Sequence, residues 1–444
     1  MDSAYALIVE RLFARFFGVA LIAHVVGNWG QPDFPELVGF LNLLVGLGGL
    51  GLTVWPRRSV LQVASALVVA SVLAEMPTTG NHWVVAGLAG LAILASRGDP
   101  NRYLPALRWI FLIFYGFSAF AKLNSGFFDP SVSCAVFYAN QSLDGFGLGP
   151  LPAESPLRTV IIWLTAGLEL AVVPMLLVKR TRFLGILMAS AFHIIISFDL
   201  NQHFYDFTAV LLALLVPFLP DSAIHRVASR PQIRRARLLY RALLAVTLLL
   251  VLIAVLPPSD ATIQILGVAP FIIWIPFALF FLLRLWRSRA PGTPFAWNLS
   301  WVTGLVALLT FFNGLTPYTE LKTAYGFNMY ANLVTAGGVS NHFLVPRTFP
   351  LRDGYRQPVE IISSSDPGLE LYRDYGYLIA YPQFQRYLVG RSVSVGYRRG
   401  TDEYSLASSA GVADSGPWWW TFMPLRALDS QNPPRCQAVF LPAL

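Results

Sequence analysis

The sequence predicts an all-α polytopic membrane domain over residues 1–314, followed by a small β-rich extracytoplasmic domain over residues 315–444. Three observations carry that reading. Of 444 residues, 55% are hydrophobic and 13% charged, with a mean hydropathy of +0.56; a soluble domain carries about 25% charged residues. Apolar stretches that could each cross a bilayer core recur about eleven times before Gly314. Beyond Gly314 the chain turns richer in Ser, Asp, Tyr and Pro, and its apolar runs become short. The composition excludes a soluble enzyme, and its apolar content excludes a disordered or collagen-like chain.

The apolar segments fall near residues 8–28, 36–55, 58–76, 81–97, 104–122, 157–178, 182–199, 204–220, 239–256, 266–284 and 295–314. The first carries Glu10, Arg11 and Arg15 and lacks a small-residue cleavage site, so it reads as a helix that stays, not as a signal peptide. Basic residues alternate with the loops. Arg57 and Arg58, Arg97 and Arg102, Lys179 to Arg182, Arg226 to Arg241, and Arg284 to Arg289 follow every even helix. The loops after odd helices, at 30–35, 77–80, 124–156, 200–203 and 257–264, hold neither lysine nor arginine. The positive-inside rule then predicts a cytoplasmic N-terminus and everything after residue 314 outside, and the preference for arginine over lysine points to a bacterial cell membrane. A pI of 9.6 is accounted for by that topology, and no nucleic-acid partner is expected.

In the tail, Val359–Ile362, Leu369–Tyr381, Tyr387–Tyr397 and Ala438–Leu441 read as strands between turn-forming clusters. Cys134 lies in the long outer loop and Cys436 in the tail. Both therefore face the oxidising side, and a disulfide between them is expected to tie tail to membrane domain.

Ionisable groups inside membrane helices need partners, hydration or a function. Lys122 ends the fifth apolar segment and is the only lysine in the first 178 residues. It either snorkels to the headgroups or, desolvated, serves as a base, since apolar surroundings favour a neutral amine. Asn81 and His82 open the fourth segment after a Pro-Thr-Thr-Gly turn, as a cap and an interfacial side chain or as catalytic groups. His193 lies inside the seventh, followed by Asp199, Asn201, Gln202, His203 and Asp206; Glu75 and Glu169 need partners, and His24 lies near the outer end of the first. The topology sends most of these groups to one side of the membrane, where they could form one pocket. His193 and His203 are ten apart across a turn and no His-Glu-x-x-His run occurs, so the spacing predicts no metal centre. No phosphate-cradling loop or nucleophile elbow is present either.

Several stretches together resemble the vitamin K-dependent γ-glutamyl carboxylases, within the horizontally transferred transmembrane domain family. Gly80-Asn81-His82 is similar to the family's helix-opening Asn-His pair, and Ala119-Phe120-Ala121-Lys122-Leu123-Asn124 to its Ala-Gly-Val-Lys-Lys-Leu-Asp helix end. Phe192-His193 with Tyr205-Asp206-Phe207 resembles its Phe-His and following polar stretch, and Ala324–Tyr330 with His342 its Gly-Tyr-Ser-Trp-Asp-Met-Met segment. The likeness spans roughly residues 10–345. Ala121 stands where the family has a second lysine, and most of the large lumenal region of the animal enzymes is missing.

The resemblance implies an active site on the outer side that couples oxygenation of a reduced quinone, to its epoxide, with proton abstraction from and carboxylation of a glutamate side chain. Lys122 would be the base, Asn81 and His82 would hold the quinol oxygens, and His193 would line the pocket. The cofactor implied is reduced vitamin K or another membrane quinol, reached laterally from the lipid, with no metal. Tyr115, Phe117 and Phe120 on the same helix offer aromatic walls for its ring. The partners implied are lipid, quinol and an extracytoplasmic peptide or protein. A rival expectation is a non-catalytic family member that assists assembly, export or maturation of an outer protein, with Trp418-Trp419-Trp420 as docking element or lipid anchor. A transporter fits less well, since the ionisable groups gather at one side and no matched broken helices are evident.

Overall fold

The computed structural model describes residues 3–28, 36–228, 234–256, 259–288, 295, 297–412 and 416–437. The apolar segments form helices α1 (Ser3–Gly27), α2 (Glu36–Val54), α3 (Arg58–Glu75), α4 (Asn81–Ala95) and α5 (Pro100–Ala121). A short α6 (Cys134–Gly145) follows, then α7 (Pro156–Leu177), α8 (Arg182–Ile196) and α9 (Phe204–Leu215). After α10 (Asp221–Ala228) come α11 (Arg234–Ala254), α12 (Asp260–Trp286) and α13 (Trp301–Leu315). Without water in a bilayer core, each backbone N–H and C=O must be satisfied within its own segment, which is why apolar runs become helices.

Starts are set by caps that the sequence carries openly. Asp99 accepts from Asn101 N ahead of Pro100 in α5, Ser155 accepts from Leu157 N ahead of Pro156 in α7, and Ser259 forms a capping box with Thr262 in α12. Among the described residues, five helices are long and apolar enough to cross a membrane: α2, α3, α5, α7 and α12. The apolar parts of α4, α8, α9, α11 and α13 are shorter, at 10–17 residues. Helix α1 has the length but carries Glu10, Arg11 and Arg15.

Helices α1 and α2 cross where both chains are bare: a Cβ on Gly18 would lie 2.6 Å from the Gly49 carbonyl oxygen. Phe13, Phe17, Trp83, Tyr103, Phe111 and Phe218 fill the interior of the bundle. Arg108 donates to the Pro217 carbonyl at 2.9 Å and Arg182 to that of Leu176 at 2.8 Å, and both stack on Phe295.

Beyond α13 the chain first caps the bundle and only then builds a sheet. Residues 316–350, the cap segment, include the two-residue strands β1 (Thr335–Ala336) and β2 (Val339–Ser340) and lie against the end of α5. Phe343 N donates to Leu123 O, Ser125 N to Asn341 O, and Asn124 Nδ2 to the carbonyls of Ala121 and Ala331. Strands β3 (Val359–Ser364), β4 (Tyr377–Ile379), β5 (Val395–Arg399), β6 (Asp402–Leu406) and β7 (Leu428–Asp429) form an antiparallel sheet in the order β6-β5-β3-β4-β7. Val359, Ile361, Ile379 and Val395 pack beneath it with Leu369, Tyr372 and Phe384.

Those last three residues lie on helices, and for Leu369 and Tyr372 this corrects the strand reading. Most of 369–381 is α14 (Pro367–Tyr375), and 387–388 ends α15 (Tyr381–Leu388), leaving only Tyr377–Ile379 and Val395–Arg399 as strand. The reason is local: Asp366 accepts from Leu369 N, Pro367 occupies the first turn, and Gly376 closes the helix at φ 66°. The expected strand at 438–441 lies outside the described residues.

Candidate functional site

Two groups of buried ionisable side chains stand out in the bundle, with Phe207 between them. The first joins four helices. His24 of α1 meets Glu75 of α3 through Nε2 at 3.2 Å and Asp206 of α9 through Nδ1 at 3.1 Å. His82 of α4 reaches the same Asp206 oxygen, Oδ2, at 2.7 Å. Ser71 donates to Glu75 at 2.6 Å and accepts from Trp83 Nε1, and the His24 ring lies flat on the Trp83 indole at 3.5 Å and 8°. His24, Glu75 and Asp206 are buried; His82 is partly open, its side chain 18% exposed. Asp206 Oδ1 and Glu75 Oε2 are buried without a hydrogen-bond partner among the described residues.

The second centre is Lys122 with Glu169. Lys122 caps α5, and its Nζ lies 2.7 Å from Glu169 Oε2 of α7, an ion pair lying off the ideal hydrogen-bond direction. Nζ also donates to Ser118 O at 3.3 Å. Both residues are buried, so Lys122 does not snorkel. Glu169 sits about 20 Å along α7 from its start at Pro156, which sets the pair well below that helix end. Nearby, His193 Nε2 meets the Tyr115 hydroxyl at 3.2 Å, while its Nδ1 and Ser118 Oγ have no partner among the described residues. Phe207 touches His82 on one side and His193 on the other, with ring centroids 6.0 and 5.1 Å away.

The remaining sequence candidates are placed as follows. Asn81 Oδ1 accepts the buried Phe327 N–H at 2.8 Å and so pins the cap segment over the bundle. Tyr115 shares the His193 neighbourhood, but Phe117 and Phe120 turn away from it. Phe117 packs on Phe311 and under Gly314, and Phe120 on Tyr318 and His342, because at 3.6 residues per turn positions two and five beyond Tyr115 lie on the far side of the helix. Cys134 and Cys436 are joined in a disulfide. Asp199 accepts from Ser142, Asn201 and Gln202 and closes its own turn rather than joining either centre.

Sequence reasoning sent His82, Asp206 and Glu75, with His24, to one helix end where they could form one pocket, and offered Lys122 or a histidine as partner for Glu75 and Glu169; it did not say that Lys122 takes Glu169 while the histidines take Glu75 and Asp206. It also passed over the strained backbone of the cap segment: Glu320, Tyr325, Phe327, Tyr330 and Asn332 all have positive φ. Bulky residues occupy that region only where surrounding contacts hold them. Lys322, in the same segment, is buried against Asn313 Oδ1 at 2.9 Å, and burial pushes its ammonium down to about 8. His342 bonds the Phe120 carbonyl at 2.8 Å, and burial lowers it from the usual histidine value.

The chain matches no protein-family model, and neither a curated protein nor a solved structure matches it.

Proposed function

We propose that this protein is an integral-membrane enzyme of the quinol-dependent carboxylase type, with a cytoplasmic N-terminus, about eleven spans and an outward-facing tail. The observation that carries the reading is the buried Lys122–Glu169 pair. Two opposite charges removed from water and held at 2.7 Å are expensive unless used, and an ionisable pair inside a membrane bundle is a functional site by default. At that separation the pair can pass its proton internally, leaving a neutral amine beside a neutral acid, and the amine is then the base.

The donor set around the pair fits a quinol. An amine, a free imidazole nitrogen on His193 and a free hydroxyl on Ser118 suit its oxygens, while Tyr115 and Phe207 suit its ring. A quinol supplies reducing electrons to oxygen. The overall reaction balances as quinol, O2, CO2 and a glutamyl side chain giving quinone epoxide, a γ-carboxyglutamyl side chain and water. Lys122 takes the quinol proton, Glu169 holds the proton Lys122 gives up, and His193 with Tyr115 orients the ring oxygen. His82 and Asn81, fixed by Asp206 and Phe327, shape the neighbouring wall. Helix α7 is the lipid-side entry wall, since Leu157, Val160, Trp163 and Leu164 are exposed along it.

The test is direct. Purified protein given a reduced naphthoquinone, oxygen, bicarbonate and a glutamyl peptide should form epoxide, and Lys122→Ala should abolish it while retaining the wild-type elution profile. Equal epoxide from both proteins would remove Lys122 as the base, and none from wild type with several quinols would favour the rival role as a maturation partner.

A further inference from the structure

We propose that His24, His82 and Asp206 form a binding site for one divalent first-row transition ion, with Glu75 orienting His24 from behind. The proposal goes beyond the quinol reading and stands on a different set of residues from the Lys122 pair.

Four features of the cluster argue for a metal. First, three ligand-type side chains from α1, α4 and α9 converge so that a ligand atom from each lies within 4.8 Å of the others. Bonds of about 2.0–2.2 Å hold the ligands of a tetrahedral or octahedral ion about 2.8–3.6 Å apart, so the atoms at the wider separation draw together around the ion. Second, the hydrogen-bond accounting is lopsided. Two imidazoles aim at the single oxygen Oδ2 of Asp206, while Oδ1 of the same carboxylate is buried with no partner among the described residues. An ion between His24 Nδ1, His82 Nε2 and Asp206 gives both nitrogens and the carboxylate one common partner. Third, the charges close. Glu75 and Asp206 are two buried carboxylates, and one divalent ion balances them with both histidines neutral, as metal ligation requires.

Fourth, the outer shell is already built. A ligating histidine usually donates its second N–H to a carboxylate, and His24 Nε2 lies against Glu75 Oε1 at 3.2 Å. Glu75 is held by Ser71, Ser71 by Trp83, and Trp83 stacks on the His24 ring, so one ring orientation is fixed from three sides. Two imidazoles with one carboxylate select zinc, iron, cobalt or nickel over magnesium and calcium, which prefer all-oxygen shells. Three protein ligands leave positions open, and the partial exposure of His82 marks the side from which a further ligand reaches them.

The experiment uses the full chain carrying no polyhistidine tag, purified in detergent without chelator. Elemental analysis should find close to one transition ion per chain. After stripping, Co2+ alone should titrate to one equivalent with visible ligand-field absorption. Asp206→Asn, nearly isosteric, and His82→Ala should each lose that signal, and Glu75→Gln should weaken Co2+ affinity about 10- to 100-fold. Lys122→Ala should bind cobalt as wild type does, so a failure here is separable from failure of the quinol reading. A wild-type chain that is metal-free and takes up no Co2+, or equal cobalt binding by wild type, Asp206→Asn and His82→Ala, would overturn the proposal and leave the cluster as a hydrogen-bond network.

Discussion

Replacing both members of the Lys122–Glu169 pair should harm the protein less than replacing either one. The charged atoms lie 2.7 Å apart, with side chains 7% and 10% exposed. At an effective dielectric constant of about 20 their attraction is about 6 kcal/mol, and it is offset by several kcal/mol of desolvation for each ion. Lys122→Met strands a carboxylate and Glu169→Met strands an ammonium, and breaking a buried pair in that way costs about 3–5 kcal/mol. The double variant puts two apolar chains of similar volume in the same space and should fall within about 1 kcal/mol of wild type. Equilibrium unfolding in mixed micelles, read by tryptophan fluorescence, supplies the four corners of the cycle. Additive losses, with the double variant as damaged as the sum of the singles, would refute the claim that the two charges are coupled.

Three further outcomes follow. Burial holds Lys322 at about 8 while the unfolded chain keeps the ordinary 10.5, so between those pH values only the unfolded state binds the proton and stability rises with pH. Measured against Lys322→Met, wild-type stability should gain up to about 3 kcal/mol between pH 8 and 10.5, and a flat difference would contradict the buried-amine account. A Cβ on Gly314 would lie 2.2 Å from Phe117, so Gly314→Ala should destabilise by about 1–3 kcal/mol and Phe117→Leu should recover part of the loss in the same unfolding assay. A membrane-impermeant maleimide should label Ser408→Cys in intact cells but Ser222→Cys only after permeabilisation, both positions being exposed; the reverse pattern would invert the proposed orientation.

The helices were legible because the apolar run and the helix in a bilayer are the same thing: 36–55 is α2 at 36–54, and 157–178 is α7 at 156–177. Helix α6 was missed because Cys134–Gly145 is short, buries only Cys134 and Val136 and sits between apolar segments, although Ser133 is a plain N-cap. Helix α14 was missed although Asp366-Pro367 and Gly376 mark its two ends, because the alternation of apolar and polar residues around it was read with period two. Individual site residues stood out as ionisable groups in apolar helices. Which of them pair with which did not, since His24 and Asp206 are 182 residues apart and Asn81 and Phe327 are 246 apart. Helix rotation, which decides that Tyr115 faces His193 while Phe117 faces Phe311, is set by packing that a single sequence does not display.

The central claim is that Lys122 drives oxygenation of a quinol, and the most direct measurement is isotopic. Purified protein supplied with a reduced naphthoquinone under 18O2 should yield quinone epoxide carrying 18O, with no labelled epoxide from Lys122→Ala of matched folding and concentration. Equal 18O incorporation by both proteins, or none by wild type across the quinols tested, would contradict it.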